Sequence, residues 1–324
     1  MGVLTGPGGA FTSQDQATIN QSFTQINADF YVDGNYGFDG NPGTSAGLAF
    51  RSPGPLNLAL TNYRRNNNTS KPLVVAVSGV INYEWNTPIV SDVALIGCGN
   101  QPRQATSSGV PNGGGATWLS PTSGTGSLLA INGQSWKVEN IYFNNSATGA
   151  TTGCIRLNGG GDPPLTADAG GTQIYGCRFT GEANGLYING GPGFLDIAGN
   201  TFMFFDSTAD CAILAGGSGG TGYGTVVRGN FFESNLTHLK ALATAYSWKV
   251  FDNHMSYISG GVTTGVFIDF TGGNQNSVYR NVFDVDSGNG GIAAMFVRGT
   301  DDRWAGNTLS TAVTTTQFSW GDPA

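Results

Sequence analysis

The stretch "VVRGNFF" at 226–232 decides how this sequence is read, because its skeleton keeps returning. "DIAGNTF" lies upstream at 196–202, and "VFDNHM" (250–255), "VYRNVF" (278–283) and "WAGNTL" (304–309) lie downstream. Looser copies are "VENIYF" at 138–143 and "IYGCRF" at 174–179, the latter with Cys177 where the asparagine would stand. Taken at Asn140, Cys177, Asn200, Asn230, Asn253, Asn281 and Asn307, the slots are 37, 23, 30, 23, 28 and 26 residues apart. A mean step of about 28 residues lies in the range of solenoid repeats, and unequal steps predict coils with loops of unequal length.

A second phrase alternates with the first. "SLLAING" (127–133), "CIRLNGG" (154–160), "GLYINGG" (185–191), "CAILAGG" (211–217), "GVFIDFTGG" (265–273) and "AAMFVRG" (293–299) are short runs closed by glycine, each reading as a strand and a turn. "LKALATA" (239–245) fills the remaining slot. Each repeat therefore carries at least two strands, with room for a third in the longer ones. Helix-length amphipathic stretches are lacking after residue 70, and parallel strands without crossover helices stack by coiling. The fold class predicted is all-β, a parallel β-helix, with about ten coils between residues 30 and 310 at about 4.8 Å each.

That architecture gives the recurring residues their roles. In φ-x-x-N-x-F the first and last side chains point inward across a bend. Val227, Val250 and Val278 are expected in one column, and Phe202, Phe232, Met255, Phe283 and Leu309 in another. Asn200, Asn230, Asn253, Asn281 and Asn307 are expected to take the left-handed bend and to form an amide ladder between coils. Glycines 176, 199, 229 and 306 ease the turn.

The opening of the chain adds a resemblance. "PLVVAVSGVINYEWNTPIVSDVALIGCGN" (72–100) and "GSLLAINGQSWKVENIYFNN" (126–145) resemble the first coils of pectate-lyase-like right-handed β-helix proteins. "YVDGNYGFDGNPGTSAGLAFRS" (31–52) is similar to their entry phrase, departing from it where Leu48 or Ala49 replaces the usual proline. The resemblance implies a right-handed coil and a plugging helix in "PLNLALTNYRR" (55–65). The organisation expected is an N-terminal arm at 1–30, an entry strand and capping helix at 31–70, the β-helix at 71–310 and a C-terminal cap at 311–324. In the arm, Ile19, Phe23, Ile26 and Phe30 have helical spacing. The arm is similar to the N-termini of phage spike and fibre proteins.

Composition narrows the function. The 324 residues carry a net charge of −7, only 11% charged residues, 52 glycines, 19 Phe and 6 Trp. Aromatic content at that level supports a buried core. Fourteen scattered basic residues exclude a nucleic-acid footprint, and no run approaches a membrane span. The N-terminus lacks a basic start and an apolar run, so the expectation is no secretory leader and assembly in a host cytoplasm. Cys98, Cys154, Cys177 and Cys211 have no metal-like spacing and read as free, packed thiols.

Catalytic carboxylates on such a rod should stack on outward positions. Of the outward slots flanking each asparagine, none pairs two carboxylates on neighbouring coils. Asp252 and Arg280 share a column and are expected to pair. Glu139 is placed with them. Asp206, Asp210, Glu233, Asp284 and Asp286 fall in loops after the Phe column, either solvated or converging on an acidic groove. His238 and His254 have no nucleophile partner. No catalytic residue, metal or cofactor is assigned. Tyr175, Phe231, Phe251 and Tyr279 are expected along one side of the rod as a binding surface, for subunit packing, glycan contact or loop cover. The function expected is a phage virion surface protein, a homotrimeric spike, head fibre or decoration. It would be held to other virion proteins through residues 1–30, with cell-surface polysaccharide as a further partner. The alternative is a polysaccharide lyase or glycoside hydrolase of pectate-lyase-like fold.

Overall fold

A computed structural model describes residues 5–6, 9–10, 26–67, 71–99, 116–122, 124–149, 151–159, 167–205, 211–217, 222–241, 245–257, 266–285 and 295–309. Three long sheets run through it. Sheet one has ten strands from Phe30–Asp33 to Arg303–Ala305, sheet two has nine from Val80–Asn82 to Thr308–Leu309, and sheet three has eight from Trp85–Asn86 to Met295–Val297. One coil is Val226–Arg228, Phe231–Glu233 and Thr237–Ala241; the next is Lys249–Phe251, His254–Tyr257 and Val266–Asp269. Each strand pairs in parallel with its equivalent one coil away. The chain is thus a parallel β-helix with three strands per coil, and ten strands at about 4.8 Å spacing make a stack about 43 Å tall.

The expected columns are present. Ile174, Ile197, Val227, Val250, Val278 and Trp304 are successive partners in sheet one. Trp118, Phe143, Phe179, Phe202 and Phe232 stack in sheet two, with ring centroids 5.8, 5.4, 4.8 and 4.9 Å apart. Burying one such ring contributes about 1.5–3 kcal/mol, and parallel offset stacking adds to it.

At the corner between these sheets the ladder asparagines are all buried. The Nδ2 of Asn200, Asn230, Asn253 and Asn281 donates to the Oδ1 of the next at 3.1, 3.0, 2.9 and 3.0 Å. That same Oδ1 accepts the backbone N–H of the preceding asparagine at 2.9–3.0 Å. The bend itself is made one residue earlier than expected. Gly176, Gly199, Gly229 and Gly306 have φ of 57–64°, and Asp252 and Arg280 take 56° and 55°. The asparagines leave the left-handed region to these residues and supply the amide.

Asn140 is out of register with that ladder. Val138 pairs with Ile174 and Glu139 with Tyr175, so Asn140 falls opposite Gly176 and Ile141 opposite Cys177. Asn140 is the left-handed residue of its coil, with φ 58°, and Ile141 holds the ladder slot. Glu139 consequently belongs to the column of Tyr175, not to that of Asp252 and Arg280.

A second amide ladder closes the strands of sheet three. Asn132 Nδ2 reaches Asn86 Oδ1 at 2.7 Å, Asn158 Nδ2 reaches Asn132 Oδ1 at 2.7 Å, and Asn189 Nδ2 reaches Asn158 Oδ1 at 3.1 Å.

The helix α1 (Leu56–Asn67) plugs the first coil, with Leu56 and Leu60 fully buried. Tyr63 meets Phe30 edge to face at 6.1 Å. The entry strand Phe30–Asp33 already pairs with Leu73–Ser78 in sheet one, so the β-helix begins at Phe30, not at residue 71. Phe30 is therefore no part of an arm helix. The remaining arm spacing, at Ile19 and Phe23, and the cap at 311–324 lie outside the described residues. All four cysteines are free and buried.

Candidate active site

The outward face of sheet one carries charge that is largely spent on itself. Lys137 pairs with Glu139 at 2.6 Å. Arg228 grips both oxygens of Asp196 at 3.1 and 3.0 Å, and Tyr175 donates its hydroxyl to Asp196 at 2.6 Å. Burial, then the hydrogen bond and charge of Asp196, push the Tyr175 phenol up to about 12. Arg280 and Asp252 form the expected pair, twice bonded at 2.8 Å.

Tyr175, Phe251 and Tyr279 share one outward column of this face. Phe251 and Tyr279 are stacked at 5.0 Å and 6°, with the Arg280 guanidinium 5.7 and 5.3 Å from their ring centroids. Phe231 stands apart from these three. It faces out from sheet two, where its partners are Thr201 and His254, and it meets the His254 ring edge to face at 5.3 Å. The four aromatics do not line one side.

Sheet two holds the group that sequence reasoning missed. Glu233 and Asp284 lie on strands, not in loops, and both fall in the outward column Met203, Glu233, Ser256, Asp284. They are two coils apart, about 10 Å between backbones, with only a serine side chain between them. Ser256 is 4% exposed, so this face is sheltered. Burial raises the Glu233 carboxyl above its ordinary range, and the Arg178 charge opposes the shift without cancelling it. Arg178 lies over the Tyr142 ring at 5.6 Å, with Nη2 3.5 Å from Met203 Sδ.

Phe204 follows Met203 directly. It is 50% exposed, has φ 63°, and donates its backbone N–H to the Glu233 carbonyl at 3.1 Å. An aromatic residue thus stands beside Glu233, on the side away from Asp284. Chemically, the arrangement offers a carboxyl raised above its ordinary range and a second carboxylate two coils away, with one buried serine between them. Asp206, Asp210 and Asp286 lie outside the described residues. His238 is fully buried among Phe232, Tyr257 and Phe267, and His254 is exposed on the surface. No group of metal-ligating side chains is found among the described residues.

No protein-family model and no curated protein matches the chain. Among solved structures it is similar to YbhC of Escherichia coli, at 11% identity and a TM-score of 0.42, over 89% of this chain and 86% of that one. It is also similar to the GH136 lacto-N-biosidase of Eubacterium ramulus, at 10% identity and a TM-score of 0.30, over 86% of this chain and 67% of that one. Likenesses this distant say nothing of the chemistry of this chain.

Proposed function

We propose that the protein is a carbohydrate-active β-helix, a glycoside hydrolase that inverts the anomeric centre it cleaves. The observation that carries this is the column Glu233–Ser256–Asp284. Inverting hydrolysis needs two carboxyls about 6.5–9.5 Å apart, one protonated to donate to the leaving oxygen and one ionised to activate water. Glu233 is assigned as the acid, because burial raises its carboxyl above the ordinary range while no such burial is needed of the base. Asp284 is the base, and the two coil steps between them set a separation of the order that inverting hydrolysis requires. Phe204, on the far side of Glu233 from Asp284, gives the neighbouring sugar of the chain a wall.

The test is release of reducing ends from a panel of bacterial and plant polysaccharides, with the product anomer read by NMR. Glu233→Gln and Asp284→Asn should each abolish release with an unchanged circular dichroism spectrum. Full activity in either variant, or retention of configuration, overturns the assignment.

A second reading is a trimeric virion spike held at its N-terminal end. Supporting it, seven of the eleven large apolar side chains exposed among the described residues fall between Tyr36 and Ile89. Exposed apolar surface gathered at one end suits attachment. Light scattering distinguishes the two: a monomer counts against the spike and leaves the hydrolase standing.

A further inference from the structure

The corner leading from sheet three into sheet one is made, coil after coil, by a single left-handed residue. Asp92, Ser135, Gly171, Phe194, Gly224, Ser247, Gln275 and Asp301 hold it, with φ of 54–72°. Small or polar side chains suit that conformation, which costs a bulky residue roughly 1–2 kcal/mol. Phe194 is the exception, and its ring is 75% exposed. Folding gains little from a strained phenylalanine left in water, so its presence there calls for a partner.

Its surroundings describe that partner. A Cβ on Gly224 would lie 3.1 Å from Phe194 Cδ1, so the ring leans over a neighbour that only glycine leaves flat. The Phe194 N–H bonds the Tyr223 carbonyl at 2.6 Å, and Tyr223, itself 52% exposed, lies 5.5 Å from the Tyr246 ring at 35°. Two residues beyond Phe194, Asp196 faces outward from sheet one, and its column continues to Val226 and Lys249. Asp196 is occupied by Arg228 and Tyr175. Lys249 is exposed. The patch therefore joins flat apolar rings carrying phenol hydroxyls to surplus positive charge.

We infer that Phe194, Tyr223 and Tyr246 form a glycan-binding site for a carboxylated sugar. The C–H face of the pyranose lies on Phe194, the phenols meet its hydroxyls, and Lys249 takes the carboxylate. A flat, charged, hydroxylated ligand uses both halves of the patch; a second copy of this chain, with its own acidic balance, is left as an outcome of the test. The site lies at a different corner from Glu233 and Asp284 and does not depend on the hydrolase reading.

The test uses the full chain carrying Glu233→Gln, so that no glycan is consumed, on an array of neutral and uronate-containing oligosaccharides. Uronate members should be retained, and retention should weaken with salt. Phe194→Gly should lose at least tenfold in affinity with no loss of thermal stability, because glycine relieves the backbone strain. Lys249→Gln should lose the preference for acidic over neutral members. The inference is overturned by an array with no uronate binding, by Phe194→Gly binding as the parent does, or by Phe194→Gly unfolding at lower temperature, which makes the ring structural. A change of oligomeric mass in Phe194→Gly overturns it in favour of self-association. Loss of catalysis in Glu233→Gln with binding intact separates the two sites.

Discussion

Replacing Asn253 with leucine isolates what the corner ladder contributes. Asn253 Oδ1 accepts the Asn230 N–H at 2.9 Å and the Asn230 Nδ2 at 3.0 Å, while its own Nδ2 serves the Val227 carbonyl at 3.0 Å. Leucine has similar volume but cannot accept or donate. Asn230 keeps its bond to the Ile197 carbonyl at 2.9 Å, so two donors are orphaned, its backbone N–H and its second amide proton. Each buried orphan costs about 1–3 kcal/mol, which puts Asn253→Leu at about 4 kcal/mol out of a total of about 5–15. Asn200→Leu provides the internal scale. At that end of the ladder the lost acceptor served one donor, the Cys177 N–H at 2.8 Å, so about half the cost is expected. Urea unfolding followed by circular dichroism, with m-values compared, measures both. If Asn253→Leu costs under 1 kcal/mol, or Asn200→Leu costs as much as Asn253→Leu, the ladder is a consequence of stacking and not a contributor to it.

Cys177 already performs the asparagine's task weakly: its sulfur receives the Ile141 N–H and lies 3.8 Å from the Val138 carbonyl. Cys177→Asn should lengthen the ladder by one rung and raise stability by about 1 kcal/mol in the same urea assay. His238 accepts from Asn235 at Nδ1 and has no partner at Nε2, and burial lowers its pKa to about 3. A base whose folded pKa is depressed leaves the unfolded chain the stronger proton binder, so stability is whole above about pH 6.5 and is lost as pH falls towards 3. The loss is at most about 5 kcal/mol, and His238→Phe should flatten that part of the urea-midpoint profile. Burial pushes the thiols of Cys98 and Cys177 up to about 12 and raises Cys154 as well. Cys211 is buried with them, so a chromogenic disulfide at pH 8 should react with no cysteine in the native protein and with all four in guanidinium.

What could be read from the sequence, and what could not, follows from how a β-helix uses its residues. The two inward columns and the ladder were legible because each such side chain meets its own equivalent one coil away. Phe packs on Phe and amide bonds to amide, so the same letter returns. Asn140 misled because asparagine suits both corner positions, the left-handed residue and the amide donor. The inward pair Val138 and Phe143, five residues apart like Val227 and Phe232, fixes the register that the asparagine alone does not. Glu233 and Asp284 each directly follow an inward Phe, as "FE" and "FD", two residues beyond the last outward slot counted from the asparagine. Their meeting required knowing that the strand of sheet two continues past that Phe. The Asn86–Asn132–Asn158–Asn189 ladder left a trace in the repeated "NG" of the second phrase, which reads equally well as a turn. Phe194 left none. Its column asks only for a positive φ, so Asp, Ser, Gly, Phe and Gln follow one another there without a motif. Positions that bond from coil to coil are held to one residue type by the stack. Positions constrained by backbone conformation alone are free to carry whatever an outside ligand requires, and that is where binding groups on such a rod should be sought.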